Sequence, residues 1–128
     1  MEQTKIFNDW LDEILSSNPF PHNTMAVNFN LYEMDDSFDV QIIGSSMYDE
    51  DNDDWACEET YSSEENCLIL PKIANLDDRE IVLEAVTVLI DEYLNSGKYS
   101  HILKQFVAVC IGFVDDKIEC VWLSDDEE

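Results

Sequence analysis

Basic residues are nearly missing from this chain. Six Lys and Arg stand against thirty Asp and Glu in 128 residues, a formal charge of −24. Phosphates are met by Lys and Arg, so direct binding of nucleic acid is not expected. The same field disfavours anionic membrane surfaces. Glycine is scarce as well, at three residues, and no Gly-rich loop is available to cradle a phosphate. Histidine occurs only at His22 and His101. The four cysteines, at 57, 67, 110 and 120, form no C-x-x-C pair, so the spacing of a zinc site is absent and no metal or other cofactor is expected. Long apolar runs are absent too. The longest, Phe106 to Val114, has about half the length that spans a bilayer. Met1 is followed by Glu2 with no cationic or apolar leader, and the expectation is a cytoplasmic chain with reduced thiols. Cys110 and Cys120 fall on adjacent predicted strands and can be spatial neighbours.

Further absences argue against catalysis. The serines lie mostly in turn-like sequence, and no G-x-S-x-G elbow occurs. Asp49, Asp51 and Asp53 imitate the first ligands of a calcium loop, but its sixth and twelfth places, which require Gly and Glu, hold Asp54 and Thr60. A Cys–His pair has no local support, and carboxylates are too abundant for any two of them to be informative. No catalytic residue is assigned, and the expectation is a protein that is not an enzyme.

What is present is enough for one core. Apolar residues make up 45% of the chain, and a chain of this length buries roughly two-thirds of its unfolded surface. A single domain over 1–128 is expected, with an acidic loop or insertion at about 45–66 and a frayed acidic tail at 124–128.

Periodicity marks the elements. Ile6, Phe7, Trp10, Leu11, Ile14 and Leu15 recur at helical spacing and predict an amphipathic helix over Thr4 to Leu15. From Thr24 the period changes to two. Met25, Val27, Phe29 and Leu31, then Phe38, Val40 and Ile42, predict a hairpin around Asp35-Asp36-Ser37 that reaches about Gly44. A loop to about Asp54, a short strand after it, and the apolar Cys67–Pro71 segment follow. A second helix is announced by Asp77 and Glu80 as a capping box, with Leu76 and Ile81 as a hydrophobic staple. Its apolar residues cover most of its circumference, which predicts a largely buried helix, and Gly97 suits the left-handed position at its end. Phe106–Val114 reads as a strand covered on both faces, and Ile118, Cys120 and Trp122 mark the inward side of a last strand. The fold class that follows is α+β, an antiparallel sheet of about 4–5 strands packed against two main helices.

The acids carry the functional signal. Between Lys5 and Lys72 lie 16 acids and no base, and Asp49 to Glu65 alone holds nine acids. A solvated face is the bland reading of such a run. Against it, the charge is densest where regular structure is weakest, and loops commonly carry binding residues. Trp55 and Tyr61 lie inside the run, where an aromatic side chain suits an interface anchor. For Trp55 the competing reading is a pin that holds the loop to the core.

The stretch Asp53-Asp54-Trp55-Ala56-Cys57-Glu58-Glu59 resembles a segment of small bacterial immunity proteins of polymorphic-toxin and contact-dependent growth inhibition systems, where such a run follows a hairpin and precedes a short apolar segment and a helix. Size, acidity and element order are similar in outline. The resemblance implies a cytosolic protein that neutralises one cognate toxin. Together with the charge it gives the expected function: binding a basic toxin domain, a nuclease above all, through an acidic surface that occupies the phosphate-binding footprint. The expected partner-binding residues are Asp49, Glu50, Asp51, Asp53, Asp54, Glu58 and Glu59 as charge complement, with Trp55 and Tyr61 as anchors. Three alternatives stand beside it: a nucleic-acid mimic that blocks a DNA-binding protein, a small enzyme, and acidity that serves halophily alone.

Overall fold

The computed structural model describes residues 2–17, 20, 21, 23–48, 55, 59–62, 67–71, 78–114 and 118–123. The elements run α1 (Glu2–Ser17), β1 (Ala26–Glu33), β2 (Ser37–Ser45), β3 (Glu59–Ser62), β4 (Leu68–Pro71), α2 (Arg79–Ser96), α3 (Ser100–Leu103), β5 (Ala108–Phe113) and β6 (Glu119–Leu123). The α+β class is as the sequence predicts. The 124–128 tail lies outside the described residues.

The strands form one sheet in the order β3-β2-β1-β5-β6. β4 pairs with Ser37–Val40 of β2, and β3 pairs with Ile43–Ser45 of the same strand. These two short strands therefore share one outer lane, end to end. The β1–β2 hairpin keeps unbroken register from Ala26↔Ser45 to Glu33↔Phe38.

One expectation needs correction, because the sheet is mixed and not antiparallel throughout. β1 and β5 run parallel, from Ala26↔Ala108 to Leu31↔Phe113. The reason is the connection. β4 is antiparallel to β2 and so points the way β1 points. The chain then returns through α2 and α3 and enters β5 in that same direction, since parallel strands require a crossover of this kind.

Two-residue periodicity sorts the side chains. Val27, Phe29 and Leu31, Phe38, Val40 and Ile42, Leu68 and Leu70, and Val109, Ile111 and Phe113 are buried on the helix-covered face. Phe7 of α1 centres that core, with ring centroids 5.8, 6.2 and 6.4 Å from Trp10, Phe29 and Tyr93. β5 is buried at every position, as a strand covered on both faces should be.

Helix α2 differs from expectation in three ways. Its N-cap is Asp78, whose Oδ1 accepts the Glu80 N–H at 2.8 Å; Asp77 lies outside the described residues. The frame moves by one residue, so Glu80 misses the capping-box position and Ile81 stands 46% exposed. Burial follows a single stripe, Val82, Val86, Ile90, Tyr93 and Leu94, while Val88 is also exposed. Finally, Gly97 is extended (φ −70°, ψ 152°), not left-handed. Its N–H donates to the Tyr93 carbonyl at 2.6 Å. Glycine is needed there for close approach, because an added Cβ would meet the Tyr93 ring far inside van der Waals contact.

That contact gives a prediction. Backbone dihedrals alone favour Gly97→Ala, which removes freedom from the unfolded chain. The clash with a ring held at both ends outweighs this gain, and the variant is expected to lose about 1–3 kcal/mol. Urea unfolding followed by circular dichroism measures it, and a raised midpoint would refute the steric account.

Candidate partner-binding site

The second face of the sheet carries a smaller cluster: Ala26, Ala108, Cys110 and Trp55, with Tyr48 and Ile118 packed against them. It lies where β2 ends and the acidic segment begins. Trp55 is 3% exposed, and its ring meets that of Tyr48 edge-on at 5.3 Å. Ser45, fully buried, donates its hydroxyl to the Trp55 carbonyl at 2.6 Å and accepts the Met47 N–H at 3.1 Å. One hydroxyl thus ties together the backbone on both sides of residues 49–54.

Of the residues the sequence nominates, Asp49, Glu50, Asp51, Asp53, Asp54 and Glu58 lie outside the described residues. Trp55 fills the second cluster, so its ring pins the segment to the sheet and is not presented at the surface. Glu59 and Tyr61 are on β3, opposite Ser45 and Gly44, across a register shift between those two β2 residues. β3 is an outermost strand, which sets Glu59 and Tyr61 on the edge of the sheet beside the Ser45 clasp. Ser45 and Tyr48 were not foreseen. Tyr48 had a signal, since aromatic residues flank the five acids of 49–54, Tyr48 before them and Trp55 after them. Ser45 had none.

A bulge shapes the far side of the cluster. Along β5–β6 the pairs are Ala108↔Leu123 and Val109↔Trp122, then Cys110↔Cys120 and Ile111↔Glu119. Val121 is the extra residue, and a one-residue slip exchanges faces. Ile118 therefore packs on the second cluster, whereas Trp122, expected on the same side, packs against the helix-covered core. The Tyr48 hydroxyl lies 3.1 Å from Cys120 Sγ, which is 3.2 Å from Cys110 Sγ.

Elsewhere the chemistry is sparse. A hollow of about 310 Å³ lies between Phe20, Pro21, Thr24, Gln105 and Phe106, none of which, among the described residues lining it, carries an ionisable side chain. No group of three or more His, Cys, Asp or Glu is placed to hold a metal ion among the described residues. No helix among them is long and apolar enough to cross a membrane. No protein-family model, curated protein or solved structure matches the chain.

Proposed function

We propose that this chain is a non-enzymatic inhibitor of the immunity-protein kind, which binds and neutralises a basic toxin domain, a nuclease by preference, in the cytoplasm. The observation that carries this reading is the clasp. Five acids, Asp49, Glu50, Asp51, Asp53 and Asp54, lie between two roots that Ser45 and the Tyr48–Trp55 contact hold to the sheet. A segment fixed at both ends has less freedom to lose on binding, and preorganisation of this kind raises affinity. Its charge, within a total of −24, complements the Lys and Arg that a nuclease presents to phosphates and accelerates encounter. Glu59 extends the acidic footprint onto β3, Glu58 precedes it in sequence, and Tyr61 is the aromatic anchor. Trp55 holds the second root to the sheet.

The test is affinity capture from source cells at low and moderate salt, then stopped-flow association with the basic protein recovered. The triple variant Asp49→Lys, Asp51→Lys, Asp53→Lys is expected to associate at least about tenfold more slowly at low salt, with the difference shrinking as salt rises. Equal rates would remove the electrostatic basis of the reading. Capture of many basic proteins that wash off together would point to non-specific charge.

A further inference from the structure

The geometry points to Cys110 and Cys120 as a dithiol modification site, which a peroxide converts to an intramolecular disulfide across β5 and β6. The claim stands apart from toxin binding and needs no partner. Three observations carry it. The two sulfurs lie 3.2 Å apart, and a disulfide requires an approach of only about 1 Å more. The residues are direct cross-strand partners, and only the extra residue Val121 makes them so; in unbroken register Cys110 would face Val121, and Cys120 would point to the opposite side of the sheet. Their exposure also differs: Cys120 is exposed and Cys110 buried, which gives an entry thiol with a resolving thiol behind it.

The chemistry balances with hydrogen peroxide as oxidant. The Cys120 sulfur attacks one peroxide oxygen, an S–O bond forms as the O–O bond breaks, and the products are the sulfenic acid and water. The Cys110 sulfur then attacks Cys120 Sγ. The S–S bond forms, the S–O bond breaks, and a second water leaves with the remaining thiol proton. Overall two thiols lose two electrons and two protons, and one peroxide becomes two waters. Cys67 is the poorer competitor. Burial, and then the nearby charge of Asp39, push its thiol up from the ordinary value, so it carries less thiolate. The site also touches the acidic segment, since the Tyr48 hydroxyl that contacts Cys120 Sγ belongs to that segment's first root.

The experiment uses the full native chain, treated with a small excess of hydrogen peroxide, alkylated after denaturation, and cut with a lysine-specific protease without reductant. Cleavage at Lys104 and Lys117 places Cys110 in residues 105–117 and Cys120 in 118–128, while Cys57 and Cys67 share residues 6–72. The expected product is a covalent pair of 105–117 and 118–128, lighter by two hydrogens and separated by reductant. The variant Cys57→Ser, Cys67→Ser should retain it. Cys120→Ser should lose it, and a chain oxidised while unfolded should give mixed pairings. Over-oxidation of Cys120 with Cys110 left alkylatable, or linkage into 6–72 from the native chain, would overturn the assignment. Mapping of the wild type decides the matter even where a variant fails to fold.

Discussion

Replacing Trp55 by alanine is expected to cost about 3–5 kcal/mol, the range for deleting a large aromatic side chain from a packed core. The whole stability of a domain is about 5–15 kcal/mol, so the urea midpoint should fall severely. The ring is buried over Ala26, Ala108 and Cys110, and Tyr48 closes it from the side. Tyr48 is only partly buried at the edge of this cluster, and the remaining buried members, Ala26, Ala108 and Cys110, are too small to fill the space. The result separates two roles. A pin costs stability first, and binding suffers because the acidic segment loses its root. An exposed anchor would cost affinity while the unfolding midpoint held still. Ser45→Ala provides the companion measurement, because it strands the Met47 N–H and the Trp55 carbonyl without removing apolar volume. Leaving the buried Trp55 carbonyl and the part-buried Met47 N–H unsatisfied costs about 1–3 kcal/mol, so it should fall short of Trp55→Ala. An unchanged midpoint for Trp55→Ala would end the claim that the ring holds the segment down.

How much of this was legible in the sequence follows from the range of each signal. Helix α1 and the β1–β2 hairpin announce themselves because burial of one face imposes a local period, and Phe7 and Phe29 fall where that period puts them, while β5 announces itself as an apolar run buried on both faces. Signals that depend on single residues shifted or failed. Asp77 and Asp78 are equivalent caps on paper, and the structure uses Asp78. Gly97 looks like a left-handed stop, whereas the position of the Tyr93 ring, a tertiary fact, is what demands glycine. The parallel pairing of β1 with β5 depends on the path of α2 over the sheet, which no local pattern encodes. The bulge at Val121 breaks the alternation that placed Trp122 and Cys120 on one side. At the candidate site, the charge was plain from composition. The role of Trp55 was not, because an aromatic residue inside a polar run has no neighbours in sequence to show which way its ring turns. The closeness of Cys110 and Cys120 was accessible, since adjacent strands bring their residues together.

Tyr93 is expected to give the second large effect, and one that depends on pH. Its ring is 1% exposed and meets Phe7 edge-on. Its hydroxyl donates to Asp12 Oδ1 of α1 and accepts the Tyr99 N–H at 3.2 Å, joining α1, α2 and the turn before α3. Tyr93→Ala should lose about 3–5 kcal/mol through the cavity. Tyr93→Phe keeps the ring and strands the Tyr99 N–H, for about 1–3 kcal/mol at neutral pH. Burial, and then the hydrogen bond to Asp12, push the phenol above its ordinary range. The sign follows from linkage. An unfolded tyrosine ionises near about pH 10, while the folded chain keeps the proton to higher pH. The contribution is therefore complete below about pH 10 and is lost as pH rises toward the folded value. Every other side chain is common to the two proteins and drops out of the difference. The stability gap between wild type and Tyr93→Phe should thus be constant from about pH 7 to 9 and narrow above 10, by up to about 1.4 kcal/mol per pH unit. Urea midpoints across that range measure the gap. Parallel curves through pH 11 would mean that the phenol titrates alike in both states, and that the three-way junction contributes packing alone.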